Sequence, residues 1–172
     1  MLALLKLIQS IFATLHSDGT PRQVAAGMAL GAALGLTPLL NAHNLVVFFL
    51  LCVLNVSFGG GMLGWAFMIP VGFALDPVFD RIGNALLMSP GLRPMWTSLF
   101  NSPGMAYTNF NNTVVLGSLV SWLVLLIPLY FLFSWGVATY RATWGQKVMD
   151  SKLYKAISAS KVYNVYRWFR PE

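Results

Sequence analysis

The sequence predicts an all-α integral membrane protein. Its parts are an N-terminal interfacial amphipathic helix, a re-entrant or short-helix hairpin, about two full spans and a basic amphipathic C-terminal tail. Three observations carry this reading. Hydrophobic residues make up 57% of the 172 and charged residues 9%, against about 25% charged in an ordinary soluble domain. A chain this small cannot hide that much apolar surface from water. The apolar residues also come in runs broken by Pro, Gly and Asn, without the alternation of half-buried strands. Finally, seven of the eleven Lys and Arg follow residue 140, the one-sided placement expected of a cytoplasmic membrane face.

The elements follow in order. In residues 1–17, Met1, Leu4, Leu5, Ile8, Ile11, Phe12 and Leu15 recur at helical spacing, with Lys6, Ser10 and Thr14 largely on the other side. That pattern suits a helix lying in the interface plane. Lys6 interrupts the apolar stretch and no small-residue cleavage site follows, so a signal peptide is not expected. Two short apolar segments come next, Arg22 to Thr37 and Asn44 to Phe58. Each rises roughly 22 Å as a helix, short of the ~30 Å hydrocarbon core. Gly59, Gly60 and Gly61 are expected to break the chain before a third segment, 62–75. Residues 91–112 read as a loop with Pro94, Pro103, Gly104 and four asparagines, and 113–139 is a full-length span kinked at Pro128. Residues 1–140 thus form a polytopic membrane domain and 141–172 a cytoplasmic or interfacial tail.

Lys6 and Arg22 at one end, and the tail at the other, place both termini in the cytoplasm, which requires an even number of crossings. The two short segments then contribute either none, as a re-entrant hairpin, or two, as tilted spans. In the first case Asn41, His43 and Asn44 sit at mid-depth, where exposed backbone needs protein or a wet cavity to satisfy it.

Few residues here carry chemistry. His43 is either a structural histidine bonding the turn or a proton relay, since intramembrane ionisable groups are costly and often functional. Asp76 and Asp80 either anchor at an interface or couple to protons or cations, with Arg81 available as a partner. Asn55 should hydrogen-bond across helices. Asn112 reads as a helix N-cap or as a polar contact to the hairpin turn. Together Asn41, His43, Asn44, Asn55, Asp76, Asp80 and Asn112 are the candidate mid-membrane polar site. Gly27, Gly31 and Gly35, spaced by four among alanines, form a face on which another helix backbone can dock. That helix is the second or fourth segment, a second copy or a partner. Arg141, Lys147, Lys152, Lys155, Lys161, Arg167 and Arg170, interleaved with aromatics, are expected to contact anionic lipid. Cys52, in an apolar run, is expected to be a small buried hydrophobe. No metal-ligand spacing, nucleophile–base pair or phosphate loop is present, so neither a cofactor, a metal nor an enzyme activity is expected. Nucleic acid is a poor fit to the charge pattern.

The run RQVAAGMALGAALGLTPLLNAHNLVVFFLLCVLNVSF resembles a bacterial membrane family, domain of unknown function 2062. The matching features are the basic entry at Arg22, the small-residue helix from Gly27 to Gly35, the central Pro38, His43, and an apolar helix reaching Asn55. Residues 109–120, NFNNTVVLGSLV, resemble a small subgroup of that family. The glycine usual after the central proline is replaced around Leu39 to Asn41. The resemblance implies a bacterial inner-membrane protein, and relatives fused to glycosyltransferases imply envelope work. The resulting expectation is a non-enzymatic membrane subunit of an envelope assembly. It would handle or transfer an amphiphile such as a phospholipid with a larger partner, by self-association, or both. The alternatives are a small ion- or proton-coupled permease working as an oligomer, and a plain membrane anchor.

Overall fold

The computed structural model describes residues 19–143, and the described residues are helical with no strand. The interfacial helix expected over 1–17 and the basic residues Lys147 to Arg170 lie outside them. Five α-helices follow in order: α1 (Pro21–Leu36), α2 (Ala42–Val53), α3 (Phe58–Leu87), α4 (Arg93–Phe100) and α5 (Thr113–Thr143), with a 3-10 turn at Met105–Thr108 before the last. Gly19–Ser134 forms one compact unit, and the last turns of α5, from Trp135, belong to a second.

Local chemistry sets the helix starts. Thr20 accepts from the Gln23 N–H while the Gln23 side chain accepts from the Thr20 N–H, a capping box with Pro21 in the first turn. Ser57 caps α3 by accepting from Gly60 N. Asn112 Oδ1 accepts from the N–H groups of Val114 and Val115 and so caps α5.

Two expectations about boundaries need correction. The three glycines do not break the chain: Gly59 to Gly61 lie in the first turns of α3, which runs on through Pro70 and Pro77. Each proline removes one backbone donor, yet neighbouring helices make such interruptions tolerable in apolar surroundings. At 30 residues, α3 is about 45 Å long. The 91–112 region is not all loop, because α4 occupies most of its first half. Trp96 fixes α4 by donating from Nε1 to Leu86 O at 2.9 Å and stacking on Phe110 at a centroid distance of 5.9 Å.

The core is built on close backbone approach. α1 runs alongside the first half of α3. A Cβ on Gly31 would land on the Gly61 carbonyl, and one on Gly64 would land on Met28 O. Val24, Ala25, Ala32 and Ala33 are fully buried around this contact. The glycine face therefore docks α3 of the same chain, the third segment and not the second or fourth that the sequence suggested, because α3 carries the glycines that allow the approach. A second close crossing joins α3 to α5, where Gly83 faces Thr113 and Gly117 faces the Phe79 carbonyl. Trp122 in turn donates from α5 to Ala29 O on α1 at 2.9 Å.

α3 and α5 are both long and apolar enough to cross a membrane, while α2, at 12 residues, is not. The outward sides of the helices are strongly apolar: Leu45, Phe49, Phe73, Val124 and Phe131 are each at least 60% exposed. A surface of this kind fits a hydrocarbon solvent. Cys52 belongs to it, exposed rather than buried. α2 buries only the face carrying Asn44, Val47 and Leu51, and the next residue turns about 100° away from that face.

Candidate functional site

The α1–α2 turn, residues 37–41, is organised by side-chain amides. Thr37 and Asn44 are both 4% exposed. Asn44 Nδ2 donates to Pro38 O at 2.8 Å and Leu39 O at 3.2 Å. Thr37 Oγ1 lies 2.7 Å from Asn44 Oδ1 and 2.8 Å from Ala33 O, so one hydroxyl proton serves two acceptors. Asn41 Nδ2 donates to Pro38 O, and its Oδ1 accepts from Asn109 Nδ2 at 2.9 Å. Asn109 also reaches Leu40 O at 3.4 Å. The asparagines thus satisfy the turn's own carbonyls, which have no helical partner.

The position of this turn follows from the α1–α3 contact. Gly72 meets Gly35 and Leu36, about 21 Å along α3 from its start at Phe58 and close to halfway along that helix. The hairpin ends part-way up the longer helix beside it.

Beside the turn lies an open groove of about 550 Å³, within the ~300–1,000 Å³ range of small-molecule sites. Leu34, Leu40, Leu45, Phe48 and Trp65 form its walls, with Asn41, Asn44 and Tyr107 supplying the polar part. Leu40 is 93% exposed and Tyr107 81%.

The remaining candidate polar residues are dispersed. Asn55 Oδ1 accepts from Gln23 Nε2 at 3.0 Å, tying the α2–α3 connection to the start of α1 at the other end of the hairpin. Ser57 N donates to Gln23 O there as well. Asp80 accepts from the Thr113 hydroxyl at the α3–α5 crossing. Asp76 lies one turn away on the same continuous helix. Asn112 serves as the α5 cap. His43 Nε2 is buried without a hydrogen-bond partner and does not line the groove. Arg141, the one described member of the basic set, sits in the last turn of α5, where a cation suits the helix dipole.

The sequence profile of a family described as "Uncharacterized protein conserved in bacteria (DUF2062)" matches residues 6–144. The chain belongs to this family. A Treponema pallidum (strain Nichols) protein named "Uncharacterized protein" is 27% identical over 154 residues, covering 88% of this chain and 93% of its own length. No solved structure matches this chain.

For this DUF2062 chain, sequence reasoning missed Thr37, Asn109 and Tyr107 at the turn and groove. Thr37 had a usable signal, because a threonine directly after a helix and before proline can bond back to the preceding turn. Asn109 and Tyr107 had none. They reach the turn only through the fold, with 68 residues separating Asn109 from Asn41.

Proposed function

We propose that this DUF2062 chain is a multi-pass protein of the bacterial inner membrane with both termini cytoplasmic. It serves as a non-enzymatic membrane subunit of an envelope assembly that holds an amphiphile, such as a phospholipid, for a larger partner. One observation carries the reading: the groove at the hairpin turn is open and apolar, with polar groups along one part. Most ligand sites have that makeup, with apolar walls and a few placed polar groups. The exposed apolar sides of α2, α3 and α5 support a hydrocarbon environment, and the charge distribution supports the orientation.

The test is purification of the full chain in mild detergent followed by native mass spectrometry. Ala42 also lines the groove, and the expected result is a phospholipid retained by the wild type and lost from Ala42→Trp, which fills it, with the melting temperature of both proteins within a few degrees. Equal retention by the two proteins, or none by the wild type, would remove the groove from the function.

A further inference from the structure

We infer that α4 lies flat on the membrane surface at the Leu87 end of α3, with its apolar edges at the boundary of headgroups and acyl chains and its polar back in water. The inference rests on the membrane reading above. α4 fully buries none of its residues. Taking about 100° per residue, Leu92, Met95, Trp96, Leu99 and Phe100 fall within an arc of about 140°. Pro94, Thr97, Ser98 and Asn101 fall on the other side, and all four are exposed. The middle of the apolar arc rests on protein, where Trp96 donates to Leu86 O and stacks on Phe110. Its two edges stay open: Met95 is 43% exposed, and Phe100, although it meets Phe110 edge-on, is 55% exposed. A helix with this separation of sides suits the plane of a membrane interface.

Three observations name lipid as the occupant. The patch continues an outward apolar surface, since Met88, the cap of α3, is 71% exposed and Phe73 is 75% exposed. The two lie about 60° apart around the helix. The level is right as well. α4 starts after a connection of five residues and is bonded to Leu86. At that point α3, about 45 Å long, has outrun the ~30 Å hydrocarbon core. Finally, the only charged side chains from residue 81 to 143 are Arg81, Arg93 and Arg141, with no acid among them. Arg93 lies about 20° beyond Phe100 around α4, at the border of the apolar and polar sides. A long cationic side chain at such a border reaches lipid phosphates while its stem stays on apolar surface. Seated in this way, α4 fixes the depth of α3, because sinking further would carry Arg93, Thr97 and Ser98 into hydrocarbon.

The experiment uses the full chain with Cys52→Ser, reconstituted in vesicles of phosphatidylethanolamine and phosphatidylglycerol. A nitroxide is attached in turn at Met95→Cys, Phe100→Cys, Ser98→Cys and Val124→Cys. Val124, on the outward side of α5, reports ordinary hydrocarbon contact. Collisions with oxygen, which favours hydrocarbon, are compared with collisions with a water-soluble nickel chelate. The expected result is that oxygen prevails at Met95 and Phe100, the chelate prevails at Ser98, and oxygen prevails most strongly at Val124. Chelate collisions at Met95 and Phe100 as frequent as at Ser98 would overturn the inference and leave the apolar edges in water. Loss of collisions with both reagents at Met95 and Phe100 would overturn it in favour of a covering protein, such as a second copy. Chelate collisions at Val124 as frequent as at Ser98 would remove the membrane reading itself.

Discussion

Along α1 the chain is held in two opposite ways. From Val24 to Gly35 it is held by missing side chains: Gly27, Gly31 and Gly35 let the α3 backbone approach until only glycine fits. One residue past the helix end side chains take over much of the bonding, with Asn41, Asn44 and Asn109 donating to carbonyls of the turn and Thr37 to Asn44, beside the backbone bonds Thr37 N to Ala33 O and Asn41 N to Leu39 O. The first contact, of α1 with α3, is continuous; the side-chain hydrogen bonds onto this stretch come from elsewhere, Trp122 of α5 to Ala29 O and Thr37 to Ala33 O. The second is polar and partly exposed. In an apolar solvent, packing against a neighbour cannot draw on the hydrophobic effect, so dispersion and close fit must supply the attraction. Close fit fails steeply when an atom is added, whereas a polar network fails one bond at a time. The two ends of α1 should therefore respond differently to substitution.

The sharpest way to break the comparison is Gly31→Leu. Its Cβ would collide with backbone of Gly61, which cannot rotate away. The expected loss is about 3 kcal/mol or more, at the upper end of overpacking costs, read as loss of monodisperse protein or a large fall in melting temperature in detergent. Gly91→Ala, with nothing within 4 Å of its Cβ, should be near neutral in the same assay. Normal assembly of Gly31→Leu would mean that the α1–α3 contact is not the organising one.

The second prediction concerns the depth of the polar end. Cys52 is exposed, so the background is Cys52→Ser. In that background, Leu39→Cys or Ala42→Cys should label poorly with a membrane-impermeant thiol reagent applied from outside the cell. The turn stops about halfway along α3, where such a reagent does not reach a protein seated in hydrocarbon. Efficient labelling would mean that α1 and α2 cross as tilted spans.

How far these two ends could be read from sequence differs for physical reasons. The Gly27, Gly31, Gly35 spacing marks a docking face by itself, because period four on a helix has a direct steric meaning. Its partner was hidden. Gly59 to Gly61 look like a chain break because glycine lowers helix propensity, and only the packing shows Gly60 and Gly64 as the reciprocal face, against Val24 O and Met28 O of α1. The α3–α5 crossing rests on one glycine per helix, Gly83 and Gly117, a pattern too sparse to stand out. The two short segments and the Asn112 cap were legible, since caps are local. Asn55 was legible as a bonding residue but not as the partner of Gln23. At the turn, Asn41 and Asn44 stood out as polar residues between apolar runs. Their role was not legible, because the same side chains can serve the backbone or a ligand. Hydrogen-bond geometry assigns them to the backbone.

Asn44→Ala tests that assignment. It takes the Asn44 donor from Leu39 O and from Pro38 O, which keeps Asn41 Nδ2, and one of two acceptors from the Thr37 hydroxyl, which keeps Ala33 O, at about 1–3 kcal/mol, read as a shift in thermal or denaturant midpoint. Because Thr37 shares the network, Thr37→Val with Asn44→Ala should cost less than the two single changes added together. Strict additivity would mean that the 2.7 Å contact between them contributes nothing.

The smallest effect should come from Asn109→Gly, and its comparison with Asn109→Ala separates two causes at one residue. Asn109 has φ 55°, in the left-handed region, which asparagine tolerates better than other non-glycine residues. Its side chain also donates to Asn41. Asn109→Ala loses that bond, worth about 0.5–1.5 kcal/mol and nearer the low end at an exposed site. It also pays a left-handed cost of roughly 1–2 kcal/mol. Asn109→Gly loses the same bond but adopts the backbone angle freely, offset in part by the entropy glycine gives the unfolded chain. The glycine variant should therefore melt above the alanine variant and slightly below the wild type. If alanine and glycine melt together, the backbone angle is not what asparagine is tolerating there. If both match the wild type, the contact from Asn109 to the turn contributes no stability. The polar end of the hairpin would then be held by Thr37, Asn41 and Asn44 alone, a network local to the turn.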